Sequence, residues 1–367
     1  MTAKIQEFCA RLGIAHPILQ APMGGGGGTP ALAAAVSNAG GLGSLACAYS
    51  TPAQIGEAIA DIRKRTAKPF GVNLFAGGYA DAPQARAARP RAVPAAMMEI
   101  VARHHAALGL PPPEPPPPQV DPVPAQMEAV LAARVPVFSF TFGIPAPAIL
   151  ARMKRDGTYL MGTATNVDEA RRLAASGVDA IVAQGSEAGA HRGTFAARFE
   201  QAMIGMVALV PAIVDAVPDL PVIASGGIMD GRGIVAALAL GAVAVSMGTA
   251  FLVCDEAGIP EAYKARLVGA PEDATRITRA FSGRPARGIA NAFMDEAERA
   301  GDGAIPPFPL QNALTRPMRN AAAKAGDTER LSLWAGQGVR LARRMKAAEL
   351  VTRLVGEIEA TRRSLAS

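Results

Sequence analysis

The chain is short of the residues that build metal sites and disulfide scaffolds: of 367 residues, three are cysteines and four are histidines. Cys9, Cys47 and Cys254 are widely spaced and form no CxxC pair. That excludes a disulfide framework and a thiolate zinc site, and three small buried thiols are expected instead. Aromatic residues make up 5% and Trp334 is the one tryptophan. Few large rings with abundant alanine and glycine favour helices packed closely on a sheet over an all-β sandwich. No apolar run reaches the roughly 18 residues of a membrane span, and the opening MTAKIQEFCARLG is too polar for a secretion signal, so a soluble cytoplasmic protein without a membrane partner is expected. The formal charge is +6, with basic residues gathered late: Arg316, Arg319, Lys324, Arg330, Arg340, Arg343, Arg344 and Lys346. Aromatics do not interleave with them. A solvated face of a terminal helix, with a weak pull on small anions, is therefore expected rather than nucleic-acid binding.

What the chain does have is a rhythm. Apolar, β-rich runs recur at Pro17–Ala21, Gly41–Ala46, Phe70–Phe75, Val135–Phe140, Thr158–Gly162, Val178–Ala183, Leu220–Ser225 and Val243–Met247. Several are almost continuously hydrophobic, as parallel strands covered on both faces require. Helix starts are marked by Thr29-Pro30, Thr51-Pro52, Asn166 and Asp230, and stops by Gly40, Gly177 and Gly241. Eight strand–helix units in sequence predict an α/β fold, a (β/α)8 TIM barrel, with its active site where strands hand over to helices. Two regions break the rhythm. We expect an insertion after strand 3 (76–118), which holds a proline run, and a later segment (255–333) to form a smaller cap. The barrel would take 1–75, 119–254 and 334–367, with an apolar stripe over Trp334–Arg362 as its closing helix.

Glycine clusters fall at the strand ends. The loop Gln184–Gly193, QGSEAGAHRG, follows strand 6. Its glycines let a flat ligand lie on backbone, with Glu187, His191 and Arg192 projecting nearby. His191 is the one histidine with surroundings suited to catalysis, and an ordinary imidazole pKa near neutrality would suit it to proton transfer. Glu187 reads as a hydrogen-bonding loop residue. The run Gly24–Gly28 is a weak match to a dinucleotide fingerprint, because the second strand ends in Leu45-Ala46-Cys47-Ala48 without the acidic residue a ribose needs. The loops after strands 7 and 8, Ser225-Gly226-Gly227 and Ser246-Met247-Gly248-Thr249, form a better phosphate cradle. A mononucleotide with its phosphate there and its ring over the barrel centre satisfies all the glycine clusters.

The segments QAPMGGGGGTPALAAAVSNAGGLG, FSFTFGIP, AIVAQGSEAGAHRG, PVIASGGIMDGRGIVAALALGAVAVSMGTAF, FSGRPARGI, FPLQNALT and WAGQG resemble, as an ordered set over almost the whole chain, class I nitronate monooxygenases, formerly called 2-nitropropane dioxygenases. The resemblance implies flavin mononucleotide (FMN) as cofactor, a nitronate and O2 as small-molecule partners, and a homodimer as the candidate assembly. It places Met23 and Asn73 by the flavin ring, with Gln184 and Gly189 in the strand-6 loop. Gly227, Ser246, Met247, Gly248 and Thr249 would hold ribityl and phosphate, and His191 would be the catalytic base. It implies oxidative denitrification to a carbonyl compound and nitrite, with propionate 3-nitronate as the expected substrate. The chain departs from the family at Ala190, where glycine is usual, and at Ser246, where glutamine is common. Phe308, Arg284 and Arg287 stand as cap residues able to line a small cationic pocket. A flavin barrel reductase of quinones or enoyl thioesters is the nearest alternative; a non-catalytic flavin carrier and a phosphosugar enzyme are further ones.

Overall fold

Side chains that cap helices fix where the strand–helix units begin. The computed structural model describes residues 2–76, 92–117 and 120–366. Thr29 accepts from the Leu32 amide at 3.0 Å, with Pro30 in the first turn. Thr51 and Gln54 form a reciprocal capping box ahead of the helix Pro52–Arg65, and Asn166 and Asp230 cap Val167–Ala175 and Gly231–Ala239. These caps satisfy amides that have no partner inside the helix. Gly40, Gly177 and Gly241 adopt φ of 90°, 82° and 98° at the opposite ends, as the sequence predicts.

The eight expected strands form one parallel sheet: β1 (Ile18–Gln20), β2 (Gly43–Ala46), β3 (Phe70–Phe75), β4 (Val137–Thr141), β5 (Tyr159–Ala164), β6 (Ala180–Gln184), β8 (Val222–Ser225) and β9 (Ala244–Met247). Their order is β1-β9-β8-β6-β5-β4-β3-β2. A parallel bridge between Leu19 and Leu42, with the Gln20 amide donating to Leu42 O at 2.9 Å, joins the two ends and closes a (β/α)8 TIM barrel. Val72, Phe138, Leu160, Ile181 and Val245 are fully buried between sheet and helices, which is why these strands read as continuous apolar runs.

A second sheet was not foreseen. It is antiparallel, in the order β10-β11-β7, and joins β10 (Thr275–Thr278) and β11 (Ala286–Ile289) to the two-residue β7 (Ala190–His191). Beside it the helices Ala95–Ala107, Ala292–Arg299 and Leu310–Ala325 share a small core that includes Met97, Val101, Phe281, Phe293 and Leu314. β10, β11 and the three helices come from the two segments expected to form a cap, whereas β7 belongs to the loop after β6; residues 77–91 and 118 of the first segment lie outside the described residues.

The closing helix starts later than its apolar stripe suggests. Trp334 pairs with Gly288 in an antiparallel bridge, Val339 lies in a 3-10 turn, and the helix runs Ala347–Ala366. It packs on Gly231–Ala239 and Pro30–Asn38, close enough that a Cβ on Gly231 would lie 2.4 Å from the Glu357 carbonyl carbon. The late basic residues do not share one solvated helix face. Arg343 pairs with Glu357, Arg344 with Glu261, and Arg340 with Glu272, because the chain there turns through several short elements. Cys9, Cys47 and Cys254 are buried and free, and burial pushes their thiols up to about 11, 12 and 12. Among the described residues no helix is long and apolar enough to cross a membrane.

Candidate active site

The loop after β6 is held by groups that the sequence marks as polar and the fold turns inward. The Gln184 amide spends both its functions on the loop, Nε2 donating to His191 O at 3.1 Å and Oε1 accepting from the Gly193 amide at 2.8 Å. Glu169, fully buried, accepts from the Thr165, Phe195 and Ala196 amides at 2.7, 2.6 and 2.9 Å. Glu187 accepts from the Met206 amide at 2.8 Å, at the start of the helix Met206–Ala216, which bears out its reading as a hydrogen-bonding residue. Arg192 is 1% exposed and donates to the carbonyls of Gln184, Gly185 and Ala202. Burial lowers its pKa to about 10. It is a buried staple of the loop and does not project toward a ligand. Gly189 is required by packing, since a Cβ there would lie 2.6 Å from both Ala335 C and Gly336 N.

One cavity crosses the C-terminal ends of the strands, and all ten residues singled out from the sequence line it: Met23, Asn73, Gln184, Gly189, His191, Gly227, Ser246, Met247, Gly248 and Thr249. Asn73 is tied to Ser139 Oγ at 2.9 Å. Thr249 Oγ1 accepts from the Gly336 amide at 2.9 Å, which brings the WAGQG segment to the wall. Tyr49, Asn312, Arg319 and Trp334 also line the cavity and were missed as site residues. Arg319, expected on a solvated helix face, is half-buried, while Arg316 one turn before it is exposed. Of the three cap residues named beforehand, Phe308 stands with its ring centroid 6.4 Å from that of His191, and Arg284 lies 3.7 Å from the Phe142 ring centroid. Arg287 instead donates to Ser186 O at 3.1 Å.

His191 is enclosed by rings, with the centroids of Trp334, Phe142 and Phe75 at 5.6, 6.0 and 6.5 Å. Burial, and then the charges of Arg284 and Arg319, push its pKa down to about 3. The near-neutral value expected from sequence is therefore corrected: the imidazole is uncharged across the physiological range, because the charged form would lose water and face two cations. Arg284 donates to Thr194 O at 2.6 Å, and Arg319 to Asn312 O and Oδ1 at 2.9 Å. Among the described residues neither guanidinium has a carboxylate within ion-pair distance, so this end of the cavity attracts anions.

The other end suits a phosphate. A Cβ on Gly248 would meet only Ala21 Cβ, at 3.8 Å, and one on Gly25 would meet nothing within 4 Å. The φ of 75° accounts for glycine at Gly25, but neither packing nor a positive φ demands it at Gly248, where the bare backbone leaves room beside the cavity. Gly248 precedes the helical turn Thr249–Leu252, whose first amides lack partners within the turn. Bare amides at one end and a ring-lined, cationic wall at the other fit the donor needs of a phosphorylated flat cofactor.

The sequence pattern of the nitronate monooxygenase family matches residues 6–357. A probable nitronate monooxygenase of Staphylococcus aureus is 41% identical over 348 residues, covering 95% of each chain. The structure is similar to that of nitroalkane oxidase from Streptomyces ansochromogenes, with a TM-score of 0.85, 41% identity and coverage of 98% of this chain and 99% of that one. It is also similar to FabK from Thermotoga maritima, with a TM-score of 0.76, 30% identity and 98% coverage of both chains.

Proposed function

The chain belongs to the nitronate monooxygenase family of oxidoreductases, and from that premise we propose that it converts alkyl nitronates, with FMN and O2, to carbonyl compounds and nitrite. Propionate 3-nitronate is the proposed substrate. Met23, Asn73, Gln184 and Gly189 would border the flavin ring, and Gly227, Ser246, Met247, Gly248 and Thr249 would hold ribityl and phosphate. When bound, the flavin supplies the electron acceptor for the nitronate and the means of delivering electrons to O2.

The observation that carries this reading is His191 enclosed by aromatic rings near two guanidiniums that, among the described residues, have no carboxylate within ion-pair distance; burial and those two charges lower its pKa. A nitronate is an anion, and the site offers it positive charge in a wall largely closed to water. His191 is the proton acceptor for the Cα–H of a neutral nitroalkane and the hydrogen-bonding partner of a nitronate. Taking a proton makes it a third cation in the cluster, so a substrate that arrives already ionised is favoured. The aromatic rings around it hold the imidazole plane and keep water from the reacting carbon.

Similarity to FabK supports a second reading, a reductase fed by a nicotinamide. Oxygen uptake with propionate 3-nitronate, with and without NADH, separates the two. A flavin spectrum with uptake independent of NADH is expected. NADH oxidation dependent on an added quinone or enoyl thioester, with no uptake on nitronate, would overturn the monooxygenase reading.

A further inference from the structure

The FSGRPARG segment brings Ser282 to the imidazole from the far side. Ser282 is 2% exposed, and its Oγ lies 2.8 Å from His191 Nε2. The turn that carries it is held on two sides. Thr315 donates to Phe281 O at 2.6 Å, and Gly283, at φ 78°, approaches so closely that a Cβ would lie 2.3 Å from Pro306 O. The position of Oγ is thus set by backbone, not by a mobile loop.

The hydroxyl has one proton and three neighbours. It accepts from the Arg284 amide at 3.3 Å, can donate to Arg284 O at 3.1 Å, and meets Nε2 of His191. If its proton went to Nε2, the Arg284 carbonyl would lose this donor. If its proton goes to Arg284 O, the imidazole must supply the other, as Nε2–H donating to Oγ, and every group in the turn is satisfied. His191 Nδ1 is then the unprotonated nitrogen, and it is the ring nitrogen left for whatever enters the cavity that His191 lines. We propose that Ser282 is a positioning residue that locks His191 in the tautomer protonated at Nε2, so that the Nδ1 lone pair faces the substrate. The inference rests on His191 being the proton-handling group of the proposed function. It adds the residue that decides which nitrogen does the work.

The rings of Phe75, Phe142, Phe308 and Trp334 restrict the imidazole plane but do not distinguish its two nitrogens. The hydrogen bond between Nε2 and Ser282 Oγ does. A lost tautomer lock leaves the imidazole in place and changes only the proton it carries.

The test uses the full chain purified with its flavin, labelled with 15N in its four histidines. The His191 signals are assigned by their loss in His191→Asn. The wild-type protein without substrate should show Nε2 protonated and Nδ1 bare, and Ser282→Ala should show a mixture of tautomers. Turnover of a neutral nitroalkane, which needs the base, should fall roughly 100-fold in Ser282→Ala, and turnover of preformed nitronate by about three-fold or less. Ser282→Thr, which keeps the hydroxyl, should restore the Nε2–H signal. A wild-type ring protonated at Nδ1, or a tautomer unchanged in Ser282→Ala, would overturn the proposal, and the wild-type spectrum decides alone if the alanine variant does not fold. Failure of the wild-type protein to turn over any nitronate would instead overturn the functional reading, since the tautomer is measured without substrate.

Discussion

Ala190 stands opposite Arg287 in the pairing of β7 with β11 while holding its φ at 60°. This is left-handed backbone, which an L side chain adopts at a cost of about 1–2 kcal/mol and glycine adopts freely. It accounts for the glycine that is usual at this position in the family, from which Ala190 departs. Ala190→Gly should stabilise the protein by about 0.5–1 kcal/mol, the relief of strain being partly offset by the freer unfolded chain. Thermal denaturation checks it; a lower melting temperature would mean that the alanine methyl makes contacts worth more than the strain.

The depressed pKa of His191 predicts a pH dependence of stability. The unfolded chain takes up a proton near 6.5 and the folded protein only near about 3. Between these values the unfolded state binds more protons. The wild-type protein should therefore lose stability relative to His191→Asn as pH falls below about 6.5, by up to roughly 1.4 kcal/mol per pH unit, and show no difference in slope above pH 7.5. Urea melts of the flavin-free proteins at pH 5, 6, 7 and 8 measure it.

Arg319→Met keeps the length of the side chain and removes the charge at the cavity wall. For propionate 3-nitronate KM should rise about ten-fold, with a smaller change for an uncharged nitroalkane of similar size. Steady-state oxygen uptake with both substrates checks the difference. Equal effects on the two would remove Arg319 from anion recognition.

Gly231→Ala sets helix propensity against packing. In an open helix the change would add about 1 kcal/mol of stability. Here the new Cβ would lie 2.4 Å from backbone of the closing helix, and the Gly231 amide donates to Glu357 at 3.1 Å. Overpacking against backbone costs about 1–3 kcal/mol, so a net loss is expected in a chemical melt.

The barrel was legible because its signals are local. Thr51 with Gln54, Asn166, Asp230 and the stopping glycines each act within one helical turn, and runs such as Val222–Ser225 report burial on both faces. The cavity followed, since the strand ends of a barrel converge. What was not legible depends on contacts distant in sequence. β7 is two residues long and finds its partner β11 almost a hundred positions away, so no periodicity announces it. Arg319 and Arg316 sit within one turn of the same helix, and spacing cannot say that only one of them meets a cavity. The pKa of His191 is set by burial and by Arg284 and Arg319, a sum that exists only after folding. The start of the closing helix was misplaced because Trp334 is drawn into a bridge with Gly288.

That same bridge places the chain's one indole in the wall of the cavity, with Tyr263 Oη donating to the Trp334 backbone carbonyl at 2.8 Å and the His191 ring 5.6 Å from the indole, centroid to centroid. Tryptophan emits where an oxidised flavin absorbs. Arrival of the proposed FMN should therefore quench nearly all indole fluorescence, which would make the pair a label-free optical gauge of occupancy, readable in a titration with no substrate and no turnover.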